Sequence, residues 1–379
     1  MRILRLYIQG CGVFKSNLID FTHNDEPQNL ICLSGVNGSG KTTVMELIFS
    51  LIAFLHPNLA KNINFDRLKP HILTRTDFAQ LDILIDDQLL SLVWGKREQL
   101  ISSSDSCSHI VVEQLNSYIF NERELLNNNG LISALKVKFG ELSESLIKPY
   151  VQNMIQTELN ISGIGERYIA LPLQSLLNKI VSSNQSDSTQ VVEIASEPPF
   201  IYFFNAHDRE IHDIYYDSIL QDTKKYQLTH KYQPREDDIK KTLIYYDYAY
   251  PTEFEKLKSW INEQVLVDKS IEGIDRPNFE VIVRTQNGTT HGLELLSSGE
   301  ESLLIVAIQC FLRASKNAVF MIDEVDQSLH PEFQEKMMML LTQLQKDTDC
   351  QIIVSSHSEI IWRMFDSQGL IDLTSVVMT

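Results

Sequence analysis

Glycines, a lysine and two threonines occur in one short run at the spacing of loops that bind phosphate. The run reads Gly35-Val36-Asn37-Gly38-Ser39-Gly40-Lys41-Thr42-Thr43 and fits G-x-x-x-x-G-K-[ST] in full. In such a loop the glycines let backbone N–H groups curl around an anion, and the lysine adds a positive charge for the β- and γ-phosphates of a nucleotide. We therefore predict that the residues from Asn37 to Thr43 bind a nucleoside triphosphate, with Lys41 on phosphate and the Thr42 hydroxyl on Mg²⁺.

The sequence on both sides of this run predicts the elements that the motif requires. Leu30 to Leu33 is a short apolar run typical of a buried strand, and Val44 to Phe54 has the 3.6-residue apolar period of a helix. A glycine-rich structural turn is the alternative for the run taken alone. The flanking strand and helix favour the phosphate-binding interpretation.

A second apolar strand ends in two acids. Ala318 to Ile322 predicts a buried strand, and Asp323 and Glu324 follow it directly. An acid at the carboxyl end of a strand beside a phosphate-binding loop can hold the Mg²⁺ shell, and the next acid can polarise the water that attacks the γ-phosphate. We assign Asp323 to the metal and Glu324 to the general base. By itself such a pair is usually the start of a turn, so the assignment depends on the loop in the same chain.

Hydroxyl groups and a glycine precede a strongly apolar helix in the last third of the chain. The residues are Ser297, Ser298, Gly299 and Glu300, before the helix predicted from Leu303 to Leu312. Hydroxyls and backbone amides at a helix N-terminus can form a second anion site. The same residues also fit an ordinary capped helix start.

A histidine follows the last predicted buried strand. Gln351 to Val354 predicts that strand, and His357 comes shortly after it. A histidine at this edge can donate a hydrogen bond to the γ-phosphate. A lone histidine would more often be an ordinary loop residue, so the neighbouring motifs support this assignment.

Composition and charge restrict the class of protein. The chain has 379 residues, a formal net charge of −17 and five cysteines without a C-x-x-C pair. This charge argues against general coating with nucleic acid, and the cysteine spacing argues against the usual zinc sites and disulfide frameworks. The N-terminus lacks a signal-peptide pattern and the apolar stretches are short. We expect a soluble cytoplasmic protein without membrane contact.

We predict an α/β fold with a mixed sheet, an antiparallel N-terminal subdomain made of hairpins, and a helical insertion. Residues 1–95 form the N-terminal lobe with the phosphate-binding loop. Residues 96–195 form the insertion, with weakly amphipathic segments such as Leu131 to Phe139 and Leu146 to Leu159. Residues 196–379 form the C-terminal lobe with the other motifs. All three belong to one composite domain.

The order of the motifs resembles that of the ABC-type ATPases. Phosphate-binding loop, Ser-Ser-Gly-Glu, Asp-Glu, a turn from Asp326 to Pro331 and His357 follow one another as they do in that superfamily. The resemblance is greatest to the branch that contains the chromosome-organising SMC proteins, RecF-type repair ATPases, OLD-family ATPases and PtuA ATPases of the Septu and retron defence systems. The matching motifs lie in the first and last parts of the chain.

The resemblance implies a P-loop ABC-type ATPase head that works as a homodimer. In those families the signature motif of one subunit closes over the nucleotide on the other subunit's P-loop, so two ATP molecules lie between head-to-tail subunits. Carried over to this sequence, Ser298 and Gly299 act in trans. Glu324 activates water, His357 senses the γ-phosphate, and Asp326 is the residue through which the two sites communicate.

Three departures from the family pattern bear on function. The signature reads Leu-Ser-Ser-Gly-Glu where transporter ATPases have Leu-Ser-Gly-Gly-Gln, which favours the SMC-like and defence branch. The glutamine that touches Mg²⁺ in these families is not placed, although Gln80 lies near a strand start. The segment between the lobes is too short for the coiled-coil arms of SMC proteins, so large-scale DNA looping is not expected.

The leading hypothesis is the ATPase subunit of a bacterial anti-phage assembly of the PtuA type. No nuclease motif occurs in the sequence, so we expect the effector to be a separate protein, for example an HNH nuclease. One alternative is a RecF-like repair ATPase that acts directly on DNA, and another is a regulatory nucleotide-binding module with negligible turnover.

Two features leave a possible contact with DNA or nucleoprotein open. Lysines and arginine alternate with Tyr226 and Tyr232 between Lys224 and Lys241, which fits phosphate and base contacts. A solvated helical face fits the same pattern. Arg209 follows the predicted strand Phe200 to Phe204 and can either meet a phosphate or pair with a neighbouring acid, Asp208 or Glu210.

Overall fold

A computed structural model describes residues 1–24, 26–53, 72, 75–85, 88–96, 111–119, 130–137, 199–206, 209, 228–266 and 268–378. The strands in these ranges are β1 (Arg2–Cys11), β2 (Phe14–Asp20), β3 (Thr22–His23), β4 (Glu26–Pro27), β5 (Leu30–Ser34), β6 (Phe78–Ile85), β7 (Gln88–Lys96), β8 (Val111–Ile119), β9 (Gly130–Val137), β10 (Phe200–Phe204), β11 (Thr229–Lys231), β12 (Lys269–Asp275), β13 (Glu280–Thr285), β14 (Thr290–His291), β15 (Ala318–Ile322), β16 (Gln351–Ser355) and β17 (Leu370–Asp372). The α-helices are α1 (Lys41–Ala53), α2 (Ile239–Ala249), α3 (Pro251–Trp260), α4 (Ser298–Arg313), α5 (Pro331–Thr348), α6 (Glu359–Trp362) and α7 (Leu373–Met378).

A parallel sheet of six strands positions the predicted motifs. Its order is β11-β10-β15-β16-β5-β17, and each neighbouring pair runs parallel. Parallel strands bury both faces, so they consist of continuous apolar runs such as Ala318–Ile322. The carboxyl ends of β5, β16, β15 and β10 therefore lie side by side at one edge. Ligands of open α/β folds bind at this edge.

Side chains alternate between two hydrophobic cores on the faces of this sheet. Leu33, Met321 and Ile353 belong to one core together with α1 and the first strands of the chain. Phe320 and Val354 point to the opposite core, which α4 and α5 cover. This alternation follows from the two-residue period of a strand.

The antiparallel sheet confirms the predicted hairpins and corrects one helix. Its order is β2-β1-β6-β7-β9-β8, with β1–β2 and β6–β7 as antiparallel pairs. The segment Leu131 to Phe139 was expected to be helical, but Gly130–Val137 is strand β9 and pairs with β7 and β8. Its short apolar pattern fits either period, and pairing with neighbouring strands decides the outcome. Leu146 to Leu159 lies outside the described residues.

The α/β P-loop fold predicted from the sequence is confirmed. Parallel and antiparallel pairing lie in separate sheets, and a small third sheet, β12-β13-β14, leads through a short 3₁₀ turn into α4. Residues 96–195 contribute β8, β9 and the end of β7 to the antiparallel sheet in their described part. The boundaries at 95 and 195 stay a prediction. In the ranges that the structure describes, no helix has the length and apolar character needed to cross a bilayer.

Candidate active site

The loop between β5 and α1 curves tightly around the ammonium of Lys41. Gly40 has φ 95°, and a Cβ at this position would lie 2.4 Å from Cε2 of Phe14, so the turn requires glycine. Lys41 is the first residue of α1 and is 5% exposed. Its Nζ donates to the carbonyl oxygens of Gly35 at 2.8 Å and Val36 at 3.2 Å. The positive charge thus lies inside the loop, at the N-terminus of a helix.

Hydroxyl groups hold the first acid after β15. Thr42 Oγ1 donates to Asp323 Oδ2 at 2.8 Å, and Ser355 Oγ donates to Asp323 Oδ1 at 2.6 Å. Asp323 is 3% exposed. Burial lowers the pKa of Lys41, and the charge of Asp323 opposes that shift. The Thr42 hydroxyl and the Asp323 carboxylate are therefore neighbours, as the sequence predicted for a shared metal.

Glu324 and His357 lie beside this pair. His357 Nδ1 is 3.3 Å from Lys41 Nζ, and His357 Nε2 is 3.9 Å from Glu324 Oε1. An ammonium can only donate, so Nδ1 is the acceptor and we assign the ring proton of the neutral imidazole to Nε2. That N–H points toward the side of the site where Glu324 lies, and both side chains remain about one-third exposed.

The remaining predicted residues of the loop and the turn surround this centre. Asp326 Oδ1 accepts from the backbone N–H of His357 at 3.2 Å, so this acid fixes the histidine loop within one chain. Ser39 Oγ is 3.5 Å from Lys41 Nζ. Asn37 is exposed and Thr43 is half-buried.

The signature residues form a capped helix start. Ser297 Oγ accepts from the Glu300 N–H at 3.3 Å, and Glu300 Oε2 accepts from the Ser297 N–H at 2.8 Å. Ser298, the first residue of α4, is exposed, whereas Gly299 is buried against the turn at Ser328. In the described part of the chain, the hydrogen bonds of Ser297 and Glu300 do not reach the phosphate-binding loop. Ser297 and Glu300 thus cap α4, while the exposed hydroxyl of Ser298 remains at the same helix N-terminus.

Comparison with protein families identifies the chain. A family model described as AAA ATPase domain matches residues 1–362. The chain belongs to this AAA ATPase domain family. No curated protein matches the chain.

Solved structures similar to this AAA ATPase domain include three SMC heads. The SMC head domain from Thermotoga maritima is 15% identical, with 97% of this chain and 93% of that chain covered and a TM-score of 0.41. An SmcHead bound to the C-winged helix domain of ScpA is 12% identical, with 96% and 92% covered and a TM-score of 0.41. The Smc head domain with a coiled coil and joint derived from Pyrococcus yayanosii is 9% identical, with 100% and 98% covered and a TM-score of 0.42. Because these TM-scores are low, the family assignment depends on the match to the AAA ATPase domain model alone.

The donor atoms of this AAA ATPase domain fit Mg²⁺. Among the described residues, no three His, Cys, Asp or Glu side chains group together as a metal site. Thr42 and Asp323 instead offer a hydroxyl and a carboxylate whose oxygens are 2.8 Å apart. Mg²⁺ prefers such hard oxygens, and it usually takes few protein ligands, with water and substrate phosphates completing its shell.

Two residues that the sequence did not place at the centre contact it. Ser355 joins Asp323 to the backbone of Glu324, because its Oγ also accepts from the Glu324 N–H at 2.7 Å. Arg209 donates to the carbonyl oxygens of Asp323 and Glu324, while Asp208 and Glu210 lie outside the described residues. A small polar residue at the end of a buried strand was the available signal for Ser355. Arg209 had no local signal for these acceptors.

Other candidates lie away from the centre. Gln80 is buried in β6, where its side chain donates to Asp82 at 3.1 Å. Tyr232, considered as a base platform, is 1% exposed and stacks on Phe204, so it cannot stack on a base. Lys240 pairs with Glu280 at 2.7 Å. Lys224, Lys225 and Tyr226 lie outside the described residues.

Replacing Glu300 with glutamine is expected to make stability less dependent on acid pH. Burial raises the pKa of Glu300, but hydrogen bonds from Lys269 and Ser297 outweigh burial and leave the pKa below its usual 4.5. A carboxylate with a lowered folded-state pKa stabilises the fold above the unfolded value and loses that contribution as pH falls through the folded value. The variant should therefore unfold about 1 kcal/mol more easily at pH 7, and this difference should shrink below pH 4.5.

Urea denaturation between pH 7 and pH 3.5 measures this difference. Glu294→Gln, at an exposed position in the preceding turn, is the matched control and should track the wild type. A difference for Glu300→Gln that stays constant at every pH would show that the Lys269–Glu300 pair does not stabilise this helix start.

Proposed function

We propose that the chain hydrolyses ATP at the carboxyl edge of its parallel sheet. The observation that carries the proposal is the convergence of Lys41, Thr42, Asp323, Glu324 and His357 there, from three strands that are remote in sequence. Lys41 holds the β- and γ-phosphates, and Thr42 and Asp323 hold Mg²⁺. When bound there, Mg²⁺ would offset the negative charge that develops on the phosphate oxygens.

Each of the other two side chains has one task in the proposed reaction. Glu324 accepts a proton from the water that attacks the γ-phosphate, because a carboxylate within reach of that water is a general base. His357 donates its Nε2–H to the γ-phosphate, consistent with the tautomer that its contact with Lys41 requires. The reaction is an in-line displacement in which positioning and charge supply most of the catalysis.

We further propose that the working form is a head-to-tail homodimer. Ser298 is exposed at the N-terminus of α4, where a helix favours an anion, and its own chain's loop holds no hydrogen bond to that region in the described part. Ser297, Ser298, Gly299 and Glu300 of one subunit would then complete the site around ATP on the other subunit. Asp326, which touches the histidine loop, is the proposed link between the two sites.

The proposed output is control of a separate effector nuclease in anti-phage defence. This step rests on the resemblance of the motifs to PtuA-like ATPases. A direct DNA contact through the segment from Lys224 to Lys241 would use its tyrosines and lysines. Tyr232 is buried and Lys240 is paired with Glu280, so neither is free to contact DNA. Partner gating therefore has more support than direct action on DNA.

Purified protein tests these proposals. We expect Mg²⁺-dependent phosphate release from ATP that EDTA abolishes, ATP-dependent dimerisation in light scattering, and no ATP-dependent shift of duplex DNA. ATP-dependent DNA binding by the isolated chain would favour the RecF-like alternative. ATP binding without turnover, equal in wild type and Glu324→Gln, would favour a regulatory module.

A further inference from the structure

Arg209 is a buried cation placed directly behind the catalytic turn. It lies a few residues after β10 and is 6% exposed. One terminal nitrogen donates to the carbonyl oxygen of Asp323 at 2.8 Å and to that of Glu324 at 2.7 Å. Burial lowers the pKa of Arg209 to about 10, so the guanidinium remains charged at neutral pH.

This buried charge is compensated mainly by the turn that it holds. In the described ranges no carboxylate lies within ion-pair distance of the guanidinium, and its Nε has no hydrogen-bond partner. Buried charges are costly unless they are hydrogen-bonded or attracted by nearby charge. The two nearest acceptors are consecutive carbonyls of the turn, the Ala206 carbonyl is a more distant acceptor at 3.5 Å, and the attraction comes from Asp323, Asp326 and Glu324. Burial of Arg209 therefore depends on the position of this turn.

The turn itself has an unusual backbone. Glu324 has φ 47°, a left-handed conformation that residues with a Cβ rarely adopt and that surrounding contacts must maintain. Ser355 Oγ accepts from the N–H of Glu324 on one side, and Arg209 donates to its carbonyl on the other. Together these bonds fix the peptide groups on both sides of the Glu324 Cα, which sets the direction of its carboxylate.

The second terminal nitrogen of Arg209 faces α4. It lies 3.5 Å from Oγ of Ser302, which is buried one turn after Ser298. The planar guanidinium therefore touches both the turn and the signature helix, and lysine has no such fork.

We propose that Arg209 is a positioning residue that aims Glu324 at the attacking water through the Glu324 carbonyl. The inference rests on the proposed ATP hydrolysis and gives Arg209 no contact with the nucleotide. It assigns Arg209 neither of the roles considered from the sequence.

The test is a double-mutant cycle on ATP hydrolysis. Arg209→Gln is expected to lower kcat about 100-fold, as a misplaced catalytic group does, while the Kd for a fluorescent ATP analogue stays within twofold. In the Glu324→Gln background the same substitution should cause no further loss, because a residue that acts through Glu324 has nothing left to position. Arg284→Gln, an exposed arginine paired with Glu272, is the matched control.

Arg209→Lys covers the case in which Arg209→Gln does not fold. The lysine keeps the charge and can reach one carbonyl, so kcat should fall less than in Arg209→Gln. This loss, too, should occur only in chains that keep Glu324. The inference would be overturned if the kcat losses of Arg209→Gln and Glu324→Gln multiply in the double variant, or if Arg209→Gln leaves kcat unchanged. Neither result would affect the proposed function, provided that the wild type hydrolyses ATP. Absence of Glu324-dependent hydrolysis in the wild type would overturn both.

Discussion

Replacing Glu324 with glutamine is expected to lower kcat for ATP hydrolysis by about 10² to 10⁴-fold, the contribution of a positioned general base. Glutamine keeps the size of the side chain and removes its ability to accept the proton. Glu324 is not hydrogen-bonded to Lys41 or Thr42 through its side chain in the described structure, so ATP affinity should remain. Phosphate release and equilibrium binding of an ATP analogue measure the two quantities separately.

Slow hydrolysis should also trap the assembled state of this variant. If closure of the dimer requires ATP and opening requires hydrolysis, Glu324→Gln should remain dimeric in ATP for longer than the wild type. Glu335→Gln, an exposed acid on α5, is the matched control and should hydrolyse normally. Equal turnover by Glu324→Gln and the wild type would show that Glu324 is not the general base.

Lys41→Ala and Ser298→Asp should each abolish hydrolysis, for different reasons. Loss of the Lys41 charge removes nucleotide binding, so the variant should lack the stabilisation of about 2.7 kcal/mol expected at ATP concentrations 100 times Kd. Aspartate at Ser298 suits the helix N-terminus but repels a phosphate brought there. Its chain should therefore still be stabilised by ATP.

Thermal unfolding with and without ATP separates these two defects. Ser298→Asn, which adds no charge at the same exposed position, is the control for the size of the side chain. If Ser298→Asp hydrolyses ATP at the wild-type rate, the signature start does not approach phosphate.

The parts predicted well from the sequence are those whose patterns are local. Apolar runs of three to five residues followed by polar residues predicted β5, β15 and β16, because strands buried on both faces are continuously apolar. Their side-by-side carboxyl ends bring Lys41, Asp323 and His357 together. The roles of these residues in hydrolysis stay predictions until they are measured.

The remaining features depend on contacts that leave no trace in local sequence. Arg209 donates to the carbonyl of Asp323, 114 positions away, and any residue type offers a carbonyl. Lys269, which pairs with Glu300, sits on the unpredicted strand β12. Strand β9 was predicted as helix because its apolar pattern satisfies both periods, so its pairing with β7 decided the outcome.

The central claim is that each ATP site combines the P-loop of one subunit with the signature of another. Equal amounts of Lys41→Ala and Ser298→Asp chains, inactive alone, should recover about a quarter of wild-type hydrolysis when mixed, since half of the dimers are mixed and each has one intact site. Recovery should be absent when the Ser298→Asp chain, which keeps the intact P-loop, also carries Glu324→Gln, and should persist when the Lys41→Ala chain carries it instead. No recovery in the mixture, with mixed dimers present by light scattering and mass spectrometry, would contradict the claim.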